Sequence, residues 1–130
     1  MIYLDSSALV KLAVTDGESG ALTQWLSQRA SIAQIASPII RVEVPRAVWQ
    51  ADPGSLPQAY ALVRRMLEVR MTAAVLNRAA GARPVSLGVL GAIHLASALT
   101  IKHDLTAFAS YDKRLLASAA EAGLPVVSPV

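Results

Sequence analysis

The sequence predicts an α/β protein, a three-layer α/β/α sandwich around a central, mostly parallel sheet. Short apolar, β-leaning runs alternate along the chain with segments of helical hydrophobic spacing, the pattern of parallel strands joined by covering helices. The 130 residues are 54% hydrophobic but only 5% aromatic, so one core of Ala, Val, Leu and Ile is within reach without ring packing. No cysteine is present, which removes disulfides, thiol catalysis and cysteine-ligated zinc. A single domain over residues 1–130 is expected, with no internal repeat, linker or low-complexity segment.

"MIYLD" is an apolar strand ending on Asp5, and "SSALVKLAV" follows as a helix with Leu9, Leu12 and Ala13 on one side. "ESGALTQWLSQR" places Ala21, Leu22, Trp25 and Leu26 at helical intervals, and "SIAQIASP" returns to an extended pattern. Pro38 opens the next helix, which carries Glu43 and runs to about Ala51. Pro45 lies inside it and predicts a bend just after Glu43, because proline lacks an N–H and crowds the carbonyl four residues back. "DPGSLP" is a break, "QAYALVRRMLEVR" reads as one helix, and residues 71–82 carry no decisive pattern. "LGVLGAIHLASAL" has the spacing of a buried helix yet contains Gly88 and Gly91. Each glycine costs about 1 kcal/mol against alanine in a helix interior, so either the helix begins later than its pattern or another demand governs those positions. "LTAFAS" is a strand, "YDKRLLASAAEAG" a helix started by Asp112 and stopped by Gly123, and "LPVVSP" a last strand.

The net charge of +3 and pI near 9.7 fit an ordinary surface and also a polyanionic partner. The N-terminus has no basic run and sets Asp5 where a signal core would lie, so no secretory signal is read and a cytoplasmic protein is expected. The uncharged run from Pro84 to Ile101 approaches a membrane span in length, but Pro84, His94, two glycines and several hydroxyls place it in protein rather than in a membrane. No G-x-S-x-G setting and no phosphate-cradling glycine loop occur. His94, among apolar neighbours, reads as a hydrogen-bonded core residue rather than a ligand, and His103 as a surface-turn residue. Asp16, Glu18, Asp52, Glu68 and Glu121 belong to turns or polar helix faces without chemistry, and Asp104 to a turn.

In a parallel α/β sheet, ligands bind beyond the carboxyl ends of the strands, where Asp5 and Asp112 both fall. Glu43, early in the helix after a strand, adds a third acid near the same edge. Three clustered carboxylates repel unless a cation neutralises them, so the constellation points to a hard divalent metal, Mg²⁺ or Mn²⁺, with oxygen ligands and water. Taken singly, Asp5 and Asp112 read equally well as N-caps worth about 1 kcal/mol each, and Glu43 as a solvated helix face.

Four stretches, "YLDSSALVKL", "SPIIRVEVPRAV", "LGVLGAIHLASAL" and "FASYDKRLLASAAEAGLPV", together resemble the PIN domain. Within it they are most similar to the VapC-type toxins of bacterial toxin–antitoxin pairs. The resemblance covers nearly the whole chain. It implies an acidic pocket that binds Mg²⁺ or Mn²⁺ and cuts RNA, tRNA or rRNA, in a homodimer held inactive by a cognate VapB-type antitoxin. By position it assigns Asp5, Glu43 and Asp112 as catalytic and metal-holding acids, with Ser7 and Ser110 supporting them. The family's third acid falls in a pattern Leu-Arg-x-Leu-Asp-Ala-x-His-Leu-Ala, where this chain has Gly88 for the arginine and Gly91 for the aspartate. Position 91 is then expected to face the pocket rather than the core, and its glycine weakens catalysis. Arg41, Arg46, Lys113 and Arg114 flank the motifs, either to hold the RNA backbone or as ordinary surface. A catalytically impaired binding module for antitoxin or RNA is the alternative. A phospho-acceptor domain ranks last, because it needs a lysine at a late strand end.

Overall fold

The computed structural model describes residues 1–15 and 17–130. Asp16, expected in a turn, lies outside the described residues. Its sheet consists of β1 (Ile2–Leu4), β2 (Gln34–Ala36), β3 (Leu67–Glu68), β4 (Ala107–Ala109) and β5 (Val126–Val127). Their order is β3-β2-β1-β4-β5 and every pairing is parallel. The central strand β1 is buried over all three residues, as a strand covered on both faces must be.

Alternation along the strands sends side chains into two cores. Ile2, Leu4, Ala36, Ala107 and Ala109 join the core that α1 (Ser6–Ala13), α2 (Ser19–Ser27), α3 (Ile40–Ala51) and α4 (Leu56–Arg65) cover. Tyr3, Ile35 and Phe108 join the opposite core, beneath α5 (Ala73–Ala80), α6 (Val89–Thr100) and α7 (Lys113–Glu121). This is the three-layer arrangement that the alternating pattern predicts.

Two local readings need correction. The segment "QAYALVRRMLEVR" is not one helix: α4 ends at Arg65, Met66 turns extended with ψ 134°, and Leu67–Glu68 form β3. Leu67 and Glu68 pair with Ile35 and Ala36, and Val69 N–H donates to the Ala36 carbonyl at 2.9 Å. An open edge of β2 thus overrides local helix propensity, and Glu68 stands on a strand rather than on a turn or helix face. The stretch without a pattern contains α5, started by Thr72, whose hydroxyl accepts from Val75 N–H at 3.3 Å.

Pro45 is buried inside α3, which continues through it to Ala51. Gly88 is the N-cap of α6, with φ −61° and ψ 163°, so the helix does begin later than its hydrophobic pattern. Gly91, in the first turn, is the one true helix-interior glycine of that segment. Among the described residues no helix is long and apolar enough to cross a membrane.

Candidate functional site

The chain runs from β1 outward to β2 and β3, then returns to the other side of β1 for β4 and β5. The connections therefore change direction between β1 and β4, the place where an open α/β sheet leaves a crevice at its carboxyl edge. Asp5 directly follows β1 and Ser110 directly follows β4, so both stand at that crevice.

Asp5 is 2% exposed. It is the N-cap of α1: Oδ1 accepts from Ala8 N–H at 3.0 Å and from the Ser7 hydroxyl at 2.6 Å, while Oδ2 accepts from the Ser110 hydroxyl at 2.5 Å. Each serine also accepts a backbone N–H, Ser7 from Tyr111 at 2.8 Å and Ser110 from Asp112 at 3.0 Å. The two hydroxyl oxygens lie 3.4 Å apart, with both protons given to Asp5. The pair therefore ties the turn after β1 to the turn after β4 while holding the carboxylate between them. Burial raises the Asp5 pKa above its usual value, against the Ser110 and Ser7 hydrogen bonds, the nearby His94 and the Ala8 N–H. A buried carboxylate in this state favours any cation that can reach it.

Glu43 lies in the first turn of α3. Its Oε1 is 2.7 Å from His94 Nε2, and its Oε2 accepts from the Ser6 hydroxyl at 3.2 Å. The His94 ring is 2% exposed, and its Nδ1 meets the Tyr3 hydroxyl at 2.8 Å. Asp112 caps α7, its Oδ1 accepting from Arg114 and Leu115 N–H at 3.0 and 3.2 Å. The N-cap and site readings of the two aspartates are thus compatible: the capping geometry aims each carboxylate at the crevice.

Asp5, Glu43 and Asp112 line one cavity of about 470 Å³, together with Ser6, Ser7 and the start of α6. Gly91 lines it too. A Cβ there would come within 3.2 Å of Leu87 Cδ1 and 3.4 Å of its Cγ, so a side chain on this wall needs Leu87 to give by a few tenths of an ångström. Arg114 is the cationic residue on the lining. Of the other flanking cations, Arg46 lines a neighbouring groove, Lys113 is exposed, and Arg41 makes a two-armed ion pair with Glu68 at the surface.

The donor set consists of carboxylate oxygens, which suit a hard divalent cation. Among the described residues no three Asp, Glu, His or Cys side chains are gathered as a ready metal cluster. The fit is therefore to an ion held by one or two carboxylates and water, the habit of Mg²⁺.

The structure brings the expected acids Asp5, Glu43 and Asp112 and the expected serines Ser7 and Ser110 to this one crevice, and His94 is buried and hydrogen-bonded, as its apolar neighbours imply. That His94 holds Glu43, and the parts of Ser6 and Tyr3, were not expected from the sequence. Spacing carried part of that signal, since His94 follows Gly91 by three residues and so shares its helix face.

Three proteins of Mycobacterium tuberculosis are similar to this chain over almost its full length. Ribonuclease VapC35 is 39% identical over 131 residues, which cover 99% of this chain and 97% of that protein. Ribonuclease VapC47 is 39% identical over 132 residues with the same coverage, and ribonuclease VapC46 is 37% identical over 128 residues, 98% of this chain and 97% of its own. No protein-family model matches the chain.

Proposed function

The chain belongs to the VapC ribonuclease family, and from that premise we propose that it is a metal-dependent endoribonuclease toxin of a toxin–antitoxin pair, cutting RNA phosphodiesters in the cytoplasm. The observation that carries the reading is the convergence of Asp5, Glu43 and Asp112 on one cavity at the carboxyl edge of the sheet. Asp5 and Asp112, with Glu43, are the residues to hold Mg²⁺ or Mn²⁺. The chemistry such an ion supplies when bound is polarisation of a phosphoryl oxygen and neutralisation of charge at the scissile phosphate.

The chain's own groups do the rest. Ser7 and Ser110 fix the Asp5 carboxylate, so little reorganisation is needed when charge develops nearby. Glu43 offers an oriented carboxylate to hold a proton or a cation. Arg114, on the cavity wall, is placed to meet a backbone phosphate. A tRNA or rRNA substrate suits this arrangement, because a small acidic pocket reads the shape and single-stranded presentation of RNA more than its sequence.

Two partners complete the proposal. A groove of about 1140 Å³ runs from Ser6, Ser7 and Glu43 past Val42, Trp49 and Leu90. Those last three side chains are exposed, and an apolar groove leading into an acidic cavity suits an antitoxin segment that ends in arginine or lysine. Leu76, Val85 and Val89 form an exposed apolar surface around α5 and the start of α6 that adjoins the cavity at Val89, suited to a second copy in a homodimer.

Gly91 supports the second reading, an impaired nuclease that acts as an antitoxin- or RNA-binding module, since the wall position nearest an added ligand carries no donor. A Mn²⁺ titration of antitoxin-free protein, followed by thermal unfolding and by cleavage of a structured RNA, decides between them. Stabilisation and cleavage that both vanish in Asp5→Ala support the nuclease. Stabilisation without cleavage supports the impaired module, and no stabilisation at millimolar Mn²⁺ sinks the metal site.

A further inference from the structure

A buried hydrogen-bond chain leads from the centre of the sheet to the cavity. Tyr3, fully buried on β1, stacks on Phe108 of β4 at 5.2 Å between centroids with 7° between planes. Its hydroxyl reaches His94 Nδ1 at 2.8 Å, and His94 Nε2 reaches Glu43 Oε1 at 2.7 Å. The imidazole stands edge-on to Tyr3, with 82° between the rings. Three elements, one from each layer, are thus joined at one carboxylate. Among the described residues no buried side-chain nitrogen or oxygen lacks a partner; at its inner end the Tyr3 hydroxyl also meets Ser97 and the Ser37 backbone, and at its outer end Glu43 bonds Ser6 and lines the cavity.

Proton positions follow from the chemistry of the ends. An ionised Glu43 only accepts, so the hydrogen between it and His94 belongs to Nε2. In the neutral imidazole, Nδ1 then carries a lone pair and must accept from Tyr3. A phenol is neutral near physiological pH, so Tyr3 carries the proton it donates. Both ring nitrogens are engaged, and His94 is not itself a free ligand.

We propose that Tyr3 and His94 form a positioning pair for Glu43: the Tyr3 hydroxyl, bonded to Nδ1, holds the imidazole in place, and Nε2–H clamps Glu43 Oε1 so that the carboxylate faces the cavity. This rests on the reading of Glu43 as a group of the nuclease site. A glutamate has three side-chain torsions, and on a cavity wall it would sample orientations unsuited to holding a cation. The clamp removes that freedom, and Oε2, held only by the longer 3.2 Å bond from Ser6, stays able to turn to a ligand. Partners one step removed from a metal ligand typically change affinity 10–100-fold, so a clamp of this kind matters more where, as at Gly91, another ligand position is empty.

The test uses the whole chain free of antitoxin and three variants. His94→Leu removes the clamp, His94→Gln keeps an amide donor for Glu43, and Tyr3→Phe keeps the stacked ring but removes the hydroxyl that holds Nδ1. Mn²⁺ affinity is measured by electron paramagnetic resonance, and the imidazole protons are assigned by ¹H–¹⁵N NMR without metal. The native protein is expected to show Nε2–H with unprotonated Nδ1, and Tyr3→Phe to keep that tautomer, which Glu43 sets, while binding Mn²⁺ more weakly because the ring is no longer held at Nδ1. His94→Leu is expected to weaken Mn²⁺ binding by roughly tenfold or more, and His94→Gln to recover most of it. Native Nδ1–H, or equal Mn²⁺ affinity in native, Leu and Gln proteins, overturns the proposal. If His94→Leu does not fold, Tyr3→Phe and His94→Gln still decide it. If the native protein binds no Mn²⁺, the metal reading fails separately. The nitrogen spectrum then decides alone, because an Nε2–H signal whose shift and exchange are unchanged by Glu43→Ala would refute the pair.

Discussion

Asp5 serves three tasks with one side chain: it caps α1, receives the two serines that join the sheet turns, and lines the cavity. Its raised pKa sets the sign of a pH effect. A carboxyl whose folded pKa lies above its unfolded value binds more protons when folded, so metal-free stability falls as pH rises from the ordinary carboxylate range through the raised value. Asp5→Asn should abolish that slope and, because its amide nitrogen cannot accept from the Ser110 hydroxyl as Oδ2 does, should not melt above the native chain. A scan of melting temperature against pH checks both, and a parallel slope in Asp5→Asn would mean another group is responsible. Gly91→Asp tests the empty wall position. Its Cβ presses on the buried Leu87 side chain, 3.2 Å from Cδ1 and 3.4 Å from Cγ; an acid in the first turn of α6 is favoured by the helix dipole, but its charge adds to those of Asp5 and Glu43. Larger Mn²⁺-dependent stabilisation is expected than in the native chain, with RNA cleavage faster by at least about tenfold, both gains lost on adding Asp5→Ala. A Gly91→Asp protein that matches the native chain in both assays would remove position 91 from the site.

At the scale of elements, helix ends decide more than helix interiors. The C-terminal stop of α7 needs Gly123, which has φ 87°, and a Cβ there would come within 2.9 Å of Lys102 Nζ. Gly123→Ala should destabilise by roughly 1–2 kcal/mol, the cost of forcing an L-residue into the left-handed region, read from chemical denaturation midpoints. The edge strand β3 offers a contrast. Arg41 and Glu68 join α3 to β3 in an ion pair exposed on the arginine side, and such pairs contribute little. Glu68→Ala should change stability by less than about 1 kcal/mol, whereas Val69→Ala, inside the core beside that strand, should cost about 1–2 kcal/mol. The reverse order would mean the ion pair, not the buried face, secures the edge.

For the molecule as a whole, acid and apolar surfaces adjoin. The cavity collects carboxylates in a chain whose net charge is positive, and the groove beside it exposes Trp49 and Val42. A cationic antitoxin tail would meet the first and an apolar stretch the second. Two variants separate these contributions in a binding assay with the cognate antitoxin. Trp49→Ala should weaken affinity by roughly 30-fold or more, the loss typical of a central aromatic contact, with little change in salt dependence. Asp5→Ala combined with Asp112→Ala should weaken binding and flatten its salt dependence. Unchanged affinity in the double variant would rule out docking of a cationic tail in the cavity.

Alternating apolar runs and helical spacing by themselves determined the parallel three-layer fold, because a strand buried on both faces must be apolar throughout and its covering helices must show period 3.6. Strand-end placement made Asp5 and Asp112 legible as candidates, and the N-cap reading of each was equally legible, since both follow from local chain direction. The two-residue strand β3 was not legible: periodicity needs more residues than Leu67 and Glu68, and only the open edge of β2 drew them into the sheet. Nor was the bond between His94 and Glu43, separated by 51 residues, because sequence spacing shows which face of a helix a residue occupies but not which side chain from another helix meets it. That meeting was decided by the sheet order, which sets α3 and α6 in opposite layers around β1 and lets them reach each other only at the carboxyl edge where the chain reverses direction.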